Sequence, residues 1–379
     1  MLVRHLLRAS AASLALASTL LTAGGAQAVG APSDWEVSLS GHSPAGSLMS
    51  VSSVSDDLAW AVGRGDSGGV IMRWNGEKWN EDTAPGLPDV WQWSSVTAVS
   101  EDDVWAYGSV GMDQRLAHYD GERWTSVPTT GPADDSWPEV PIKAVPGRLF
   151  KGGDALYTYS DGTWKTFALP SLVDIRDIDA LSANDAYATG MQYPVDGGHS
   201  VTYHWDGTTW TLMDEAPVRA GTETAKVVAE SPTSVYVAGW AEGAHGDPPA
   251  PSVEHWNGTA WEDVTGALAD LYLEAIVSDG HGGLWATGND QADPAHAESV
   301  FWHFDGTTWT RKAGAPAPDG DTTWPSYSFY DLAPVGSTGG FWAVGDYSTP
   351  LNADGDRPVY GLIEQSTTAP GAAAATSSR

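Results

Sequence analysis

The 379-residue sequence contains no cysteine. Disulfides are therefore excluded, and so is lipid attachment to a cysteine after an N-terminal apolar run. Basic residues are scarce: Lys and Arg number 18 against 49 Asp and Glu, for a net charge of −31. So acidic a surface repels nucleic acid and anionic membranes. No second long apolar run follows the one near the N-terminus, so no membrane span is expected beyond it. A helical period is missing throughout, and the 43 Gly and 24 Pro interrupt the chain often. There is no Gly-rich phosphate loop and no Gly-x-Ser-x-Gly elbow. What the chain has in excess is tryptophan, 20 residues of it. Each aromatic side chain can bury on the order of 150–250 Å², so a core without disulfides is within reach of a chain this long.

The N-terminus reads as a targeting segment. Arg4 and Arg8 precede the apolar stretch Ala11 to Leu21, and Ala26-Gln27-Ala28 is a small-x-small cleavage site. We expect residues 1–28 to be a signal peptide, cleaved after Ala28, and the remainder to be soluble and secreted to the extracellular space.

The rest is a repeat. His204-Trp205-Asp206-Gly207-Thr208-Thr209-Trp210 recurs as Arg73-Trp74-Asn75-Gly76-Glu77-Lys78-Trp79 and as His118-Tyr119-Asp120-Gly121-Glu122-Arg123-Trp124. It returns at His255–Trp261 and His303–Trp309, and one residue shorter at Tyr159–Trp164. Asp-Gly or Asn-Gly between aromatic flanks signals a β-hairpin. Upstream of each hairpin lies an apolar-aromatic-small-x-Gly strand, such as Val104-Trp105-Ala106-Tyr107-Gly108 or Leu284-Trp285-Ala286-Thr287-Gly288. Another short β-rich run precedes each of these: Met49–Ser55, Trp93–Ser100, Pro141–Val145, Ile175–Ser182, Thr224–Glu230, Tyr272–Ser278 and Phe329–Val335. Each unit is thus four strands, a to d, with the Asp/Asn-Gly turn joining c to d. Four-stranded units repeated in this way fit an all-β fold, a single seven-bladed β-propeller.

The seventh unit has strands a and b and a candidate c at Val359–Glu364, then stops. Ser33-Asp34-Trp35-Glu36-Val37-Ser38 resembles a strand d. We expect this N-terminal strand to close the last blade, because an unpaired seam would expose strand edges. The propeller should occupy residues 29–366. The Ala/Thr/Ser-rich residues 367–379 should form a disordered tail.

The d–a and b–c loops of a propeller emerge on one face, and here they are the long ones. Loops gathered on one face mark a binding face. Five tryptophans fall outside the repeat, in or beside those loops: Trp91, Trp93, Trp137, Trp240 and Trp324. The same loops carry Asp134, Asp135, Glu139, Asp214, Glu215, Asp319 and Asp321. Aromatic plates beside carboxylates suit a neutral sugar, although the same tryptophans could simply cap the blades. A second constellation is Asp177, Lys226, Glu274 and Asp331, near the third position of strand a in units four to seven, with the register in unit six open by one residue. Strand a lines the channel, so these groups could ring its mouth and bind a ligand or act as acid and base. A hydrated channel lined by charge pairs is the alternative.

His118, His204, His255 and His303 occupy one repeat position in different blades and are too far apart to share a metal. No cofactor is implied. The acidic turns Asp354-Gly355-Asp356 and Asp319-Gly320-Asp321 leave calcium open, but neither has the spacing of a known calcium loop.

The Asp-Val-Trp-Ala-x-Gly strand followed by His-Trp-Asp-Gly-Thr-Thr-Trp resembles secreted actinobacterial repeat propellers, kelch-like or similar to the central domain of galactose oxidase. The resemblance covers residues 33–366 and implies a fold rather than an activity. The cysteine–tyrosine copper site of galactose oxidase has no counterpart in a chain without cysteine. Sialidase propellers carry Ser-x-Asp-x-Gly-x-x-Trp turns; Ser278–Trp285 has Gly280 where the Asp belongs. The expectation is a secreted, monomeric ligand-binding propeller whose partner is carbohydrate or an extracellular protein, with neither nucleic acid nor membrane involved. Carbohydrate on the long-loop face is the first reading. A polysaccharide lyase or hydrolase using Asp177, Glu274 or Asp331 is the alternative, and a protein-interaction scaffold a third.

Overall fold

The computed structural model describes residues 34–41, 44–129, 140–193, 198–219, 221–243, 247–290, 298–316, 326–336, 339–349, 351–352 and 355–366. The expected signal peptide, the expected tail, Trp137 and Trp324 lie outside them. The described residues form seven four-stranded antiparallel sheets. Strand a of the successive blades runs Ser47–Ser55, Gln92–Ser100, Ile142–Val145, Val173–Ser182, Glu223–Ser231, Leu271–Ser278 and Ser326–Val335. Each of these strands touches strand a of the next blade, and the seventh touches the first, so the ring is closed.

The N-terminal strand closes it. Trp35–Gly41 pairs antiparallel with Val359–Ser366, the third strand of blade 7, in the register Trp35↔Ser366. Trp35 is buried and stacks on Phe301 of blade 6, with ring centroids 3.7 Å apart and planes 4° from parallel. The first strand of the fold is thus fixed by hydrogen bonds to the last strand and by packing against the neighbouring blade.

The buried apolar side chains fall into seven clusters, one between each pair of neighbouring blades. The repeat tryptophans build them. In blade 1 Trp74 of strand c faces Trp79 of strand d with centroids 5.8 Å apart, and both meet Trp342 of blade 7. The indole N–H of Trp309 donates to the Val264 carbonyl at 2.8 Å, and that of Trp261 to the Asp214 carbonyl at 2.9 Å. Strand d of one blade is thereby tied to the chain leaving the previous blade.

The hairpin turns come in two forms. In five of them the Asp or Asn carboxyl or amide oxygen caps two following N–H groups; Asp206 Oδ1 accepts from Thr208 and Thr209 at 2.8 and 2.9 Å. Only the Gly there needs a positive φ, 93° at Gly207. The shorter copy at Asp161-Gly162 has φ of 49° and 73°, the two-residue turn in which both residues are left-handed.

Strand a carries a feature that its repeat pattern does not spell out. In six blades it contains a β-bulge, at Met49, Ser94, Arg176, Ala225, Glu274 and Tyr330. The bulge brings a strand a carbonyl over the Gly that ends the strand b motif. A Cβ on Gly190 would lie 1.9 Å from the Asp174 carbonyl oxygen. The motif's Gly is the sequence trace of the bulge.

Candidate functional site

Strand a of all seven blades lines a central cavity of about 670 Å³. The inner edge of strand a has no further strand to pair with, so its N–H groups need other acceptors. Side chains of the preceding blade supply them. Ser52 Oγ accepts from Ala98 N–H at 3.0 Å, and Thr97 Oγ1 from Ala144 N–H at 3.0 Å. Asp177 Oδ2 accepts from Val227 N–H and Asp179 Oδ2 from Ala229 N–H, both at 2.9 Å. Asp331 Oδ2 accepts from Val51 N–H and from Ser50 Oγ–H, both at 2.9 Å, while its Oδ1 accepts from Leu332 N–H. The polar groups on strand a therefore stitch blade to blade.

This assigns the charged constellation. Asp177, Lys226 and Asp331 share one position, the residue after the bulge. Glu274 does not: it is the bulge residue of its blade, equivalent to Arg176 and Tyr330, and Ala275 holds the shared position. The open register in unit six resolves by one residue, because a bulge inserts an extra residue that period-two counting does not register. All four line the cavity.

Two groups not singled out by their sequence pattern join them. Lys143 Nζ of blade 3 pairs with Asp179 Oδ1 of blade 4 at 2.8 Å. Asp179 holds the Lys143 ammonium above its ordinary value. Burial acts to raise Asp179, but Lys143 and the Ala229 N–H outweigh it and hold the carboxyl below the usual range. Asp177 differs. Burial pushes it up to about 6, with Lys226 and the Val227 N–H opposing and Asp179 and Asp331 adding to the rise. Asp177 and Asp179 lie two apart on one strand, so alternation puts them on one side. Their cross-blade partners are not encoded in spacing.

At the mouth on the long-loop face, Arg176 is pinned by Glu223 at 2.8 Å, by Asp174 at 3.6 Å and by the Tyr193 hydroxyl. Trp240 lines the cavity and meets Tyr272 edge-on, centroids 4.7 Å apart. The Tyr272 hydroxyl donates to Glu242 at 3.4 Å. Asp346 accepts from Ser47 and Tyr330 at 2.7 and 3.2 Å, and burial raises its carboxyl.

The loop tryptophans separate. Trp91 is 65% exposed, beside Gly111 of the blade 2 b–c turn. Trp240 is half-buried at the mouth. Trp93 is fully buried between blades 1 and 2, so it is a core residue and not a ligand contact. It occupies the position before the bulge, where Leu48, Ile175, Leu273 and Phe329 are likewise buried. Among the described residues, seven large hydrophobic side chains are exposed. Six of them, Trp91, Met112, Leu172, Tyr193, Leu351 and Val359, lie in or beside d–a and b–c connections, on one face. Leu212, on strand d of blade 4, is the other.

The repeat histidines are structural. His118 and His204 bond Asp103 and Asp185 at 2.9 Å, His255 bonds Ser234 at 3.0 Å and His303 bonds Asp279 at 3.3 Å. Each lies against the strand b aromatic of its own blade.

No protein-family model matches the sequence, and no curated protein matches it. Solved structures do. The chain is similar to YCF48 from Cyanidioschyzon merolae, at 15% identity and a TM-score of 0.53 over 87% of this chain and 98% of that one. It is similar to the WD40 β-propeller domain of Doa1, at 11% identity and a TM-score of 0.56 over 87% and 97%. A GH74 xyloglucanase from Xanthomonas campestris matches at 13% identity and a TM-score of 0.57, over 86% of this chain and 55% of that one. At such identities the likeness is one of fold: this chain is a seven-bladed β-propeller repeat protein.

Proposed function

We propose that this chain is a secreted, kelch-like propeller that binds carbohydrate on its long-loop face. The observation that carries the reading is the gathering of six exposed apolar side chains on that face, around a polar cavity mouth. Aromatic plates beside placed polar groups suit sugar rings, and Trp91, Tyr193 and Trp240 are aromatic plates of this kind on that face. Arg4, Arg8, the apolar stretch and Ala26-Gln27-Ala28 support export. The channel carboxylates fit binding better than hydrolysis, since Asp331 and Asp179 are occupied by backbone donors of the next blade. The test is retention of the 29–379 protein on insoluble polysaccharides, with the supernatant assayed for released sugar. Retention without release, lost in Trp91→Ala and Trp240→Ala, is expected. Sugar release that disappears in Asp177→Asn would put the hydrolytic alternative first. No retention on any polysaccharide would reject the carbohydrate reading.

A further inference from the structure

The face and the cavity together restrict what the ligand can be; the step rests on the carbohydrate reading above. The exposed side chains fall in three sectors of the ring. Trp91 and Met112 sit at blade 2, Leu172 and Tyr193 at blade 4, and Leu351 and Val359 at blade 7. A single sugar would reach one sector. A chain laid across the face reaches more than one, and between the nearly opposite blades 4 and 7 it passes the cavity mouth, where Trp240 and Tyr272 meet edge-on.

Charge then selects among polymers. The chain carries a net charge of −31, which disfavours anionic polysaccharides. Inside the cavity, the carboxylates of Asp177, Asp179, Glu274 and Asp331 face the ammonium groups of Lys143 and Lys226. Lys143 is paired with Asp179. Asp331 accepts at both oxygens. Asp177 is placed differently: among the described residues it accepts one hydrogen bond, from Val227 N–H to Oδ2, and it lines the cavity. Its Oδ1 is therefore open to a donor entering from the mouth. A hydroxyl could fill that position, but an ammonium gains more, because a charge-assisted hydrogen bond is about twice as strong as a neutral one.

We propose that the long-loop face binds an amine-bearing polysaccharide, with sugar rings against its exposed aromatics and one end of the polymer entering the cavity, where its primary ammonium is seated on Asp177. The Lys226 ammonium competes for the same carboxylate, since it already favours the ionised form of Asp177. Asp177 is the specificity residue and the aromatics are indifferent to acetylation.

Calorimetric titration of the 29–379 protein near neutral pH with three hexamers tests this: β-1,4-linked glucosamine, its N-acetylated twin and the corresponding glucose oligomer. The glucosamine hexamer should bind about tenfold tighter than its acetylated twin, the worth of one charged hydrogen bond. Asp177→Asn should erase that preference while leaving the acetylated hexamer unchanged; Asn keeps an acceptor for Val227 N–H, so the stitch between blades survives. Lys226→Met should move affinity the other way and tighten the glucosamine hexamer. A purely structural role for these residues would not give opposite signs. Equal affinity for the acetylated and free-amine hexamers overturns the inference and leaves the carbohydrate reading standing. A preference unaffected by Asp177→Asn overturns the assignment of Asp177. Failure of every hexamer, with retention on neutral insoluble polysaccharide, overturns the amine inference alone. Failure of both sinks both, and binding of a lysine-rich polypeptide instead would give the face to a basic protein.

Discussion

Glu364 is a carboxyl group that the fold buries completely. It lies on the third strand of blade 7, which pairs with the N-terminal strand. Ser299 Oγ–H of blade 6 donates to it at 2.7 and 2.9 Å to the two oxygens, and Ala315 N–H donates to Oε2 at 3.0 Å. Burial outweighs these donors and lifts the group from the ordinary 4.5 of a glutamate to about 7. The sign follows. Between those two values the folded chain holds the proton and the unfolded chain has released it. Stability contributed by this group is therefore full at low pH, falls as pH rises through that window and is lost above it. Each pH unit is worth about 1.4 kcal/mol, so the penalty above neutrality reaches about 3 kcal/mol. Glu364→Gln imitates the neutral acid: its oxygen can accept from Ala315 N–H and its amide can donate to Ser299 Oγ. Wild type and variant should be nearly equal in stability at about pH 4, and the variant should be more stable by about 3 kcal/mol at about pH 8. Denaturant unfolding followed by tryptophan fluorescence reads the difference. Asp177 and Glu254 are raised in the same direction, to about 6 and about 7, but both remain in the variant and cancel from the comparison. A constant loss of stability in the variant at both pH values would refute the reasoning. It would mean that the donors hold Glu364 ionised.

Three further substitutions probe the closure, the stitching and the bulge. Trp35→Ala removes the buried ring stacked on Phe301, and should cost about 3–5 kcal/mol in denaturant unfolding; a loss below about 1 kcal/mol would mean that the strand pairing alone holds the seam. Thr97→Val keeps the shape but removes the acceptor of the buried Ala144 N–H, and should cost about 1–3 kcal/mol; no loss would mean that channel water replaces the hydroxyl. Gly190→Ala forces a Cβ to 1.9 Å from the Asp174 carbonyl oxygen, so the bulge must shift, at about 1–3 kcal/mol or more; an unchanged midpoint would show that the bulge yields freely.

The parts of this fold that could be read from the residues are the parts that repeat. Five of the six Asp-Gly and Asn-Gly turns share one geometry, aromatic pairs lie across them, and the closing pair Trp35↔Ser366 follows from counting strands. What repeats less cleanly was less legible. Glu274 fell one residue out of place because the bulge breaks the two-residue period, although the Gly ending each strand b marked where a carbonyl must come close. Trp93 begins a strand a run beside a long loop, so its place alone grouped it with the loop tryptophans. Its blade-to-blade equivalents Leu48, Ile175, Leu273 and Phe329 are all apolar, and that alignment would have put it in the core. The Lys143–Asp179 pair joins two blades and leaves no local signature.

A charged ring in a propeller channel invites a catalytic reading, and the stitching supplies a way to weigh it. In blades 1, 2, 3 and 5 the inner strand edge has N–H groups that need acceptors, and the preceding blade meets that need with Ser50, Ser52, Thr97, Asp177, Asp179 or Asp331. Serine and threonine do the same work as aspartate at these positions, so a carboxylate there is not by itself a sign of chemistry. What distinguishes one carboxylate from another is the capacity left after its neighbour has been satisfied. Asp331 already accepts at both oxygens, and Asp179 spends its Oδ1 on Lys143 and on Ala180 N–H. Asp177 keeps one oxygen, in the cavity, beside a lysine and below the aromatic mouth. If the ammonium site proposed above is right, replacing Asp177 should alter binding far more than replacing the equally charged Asp331, whose loss should be read mainly in stability.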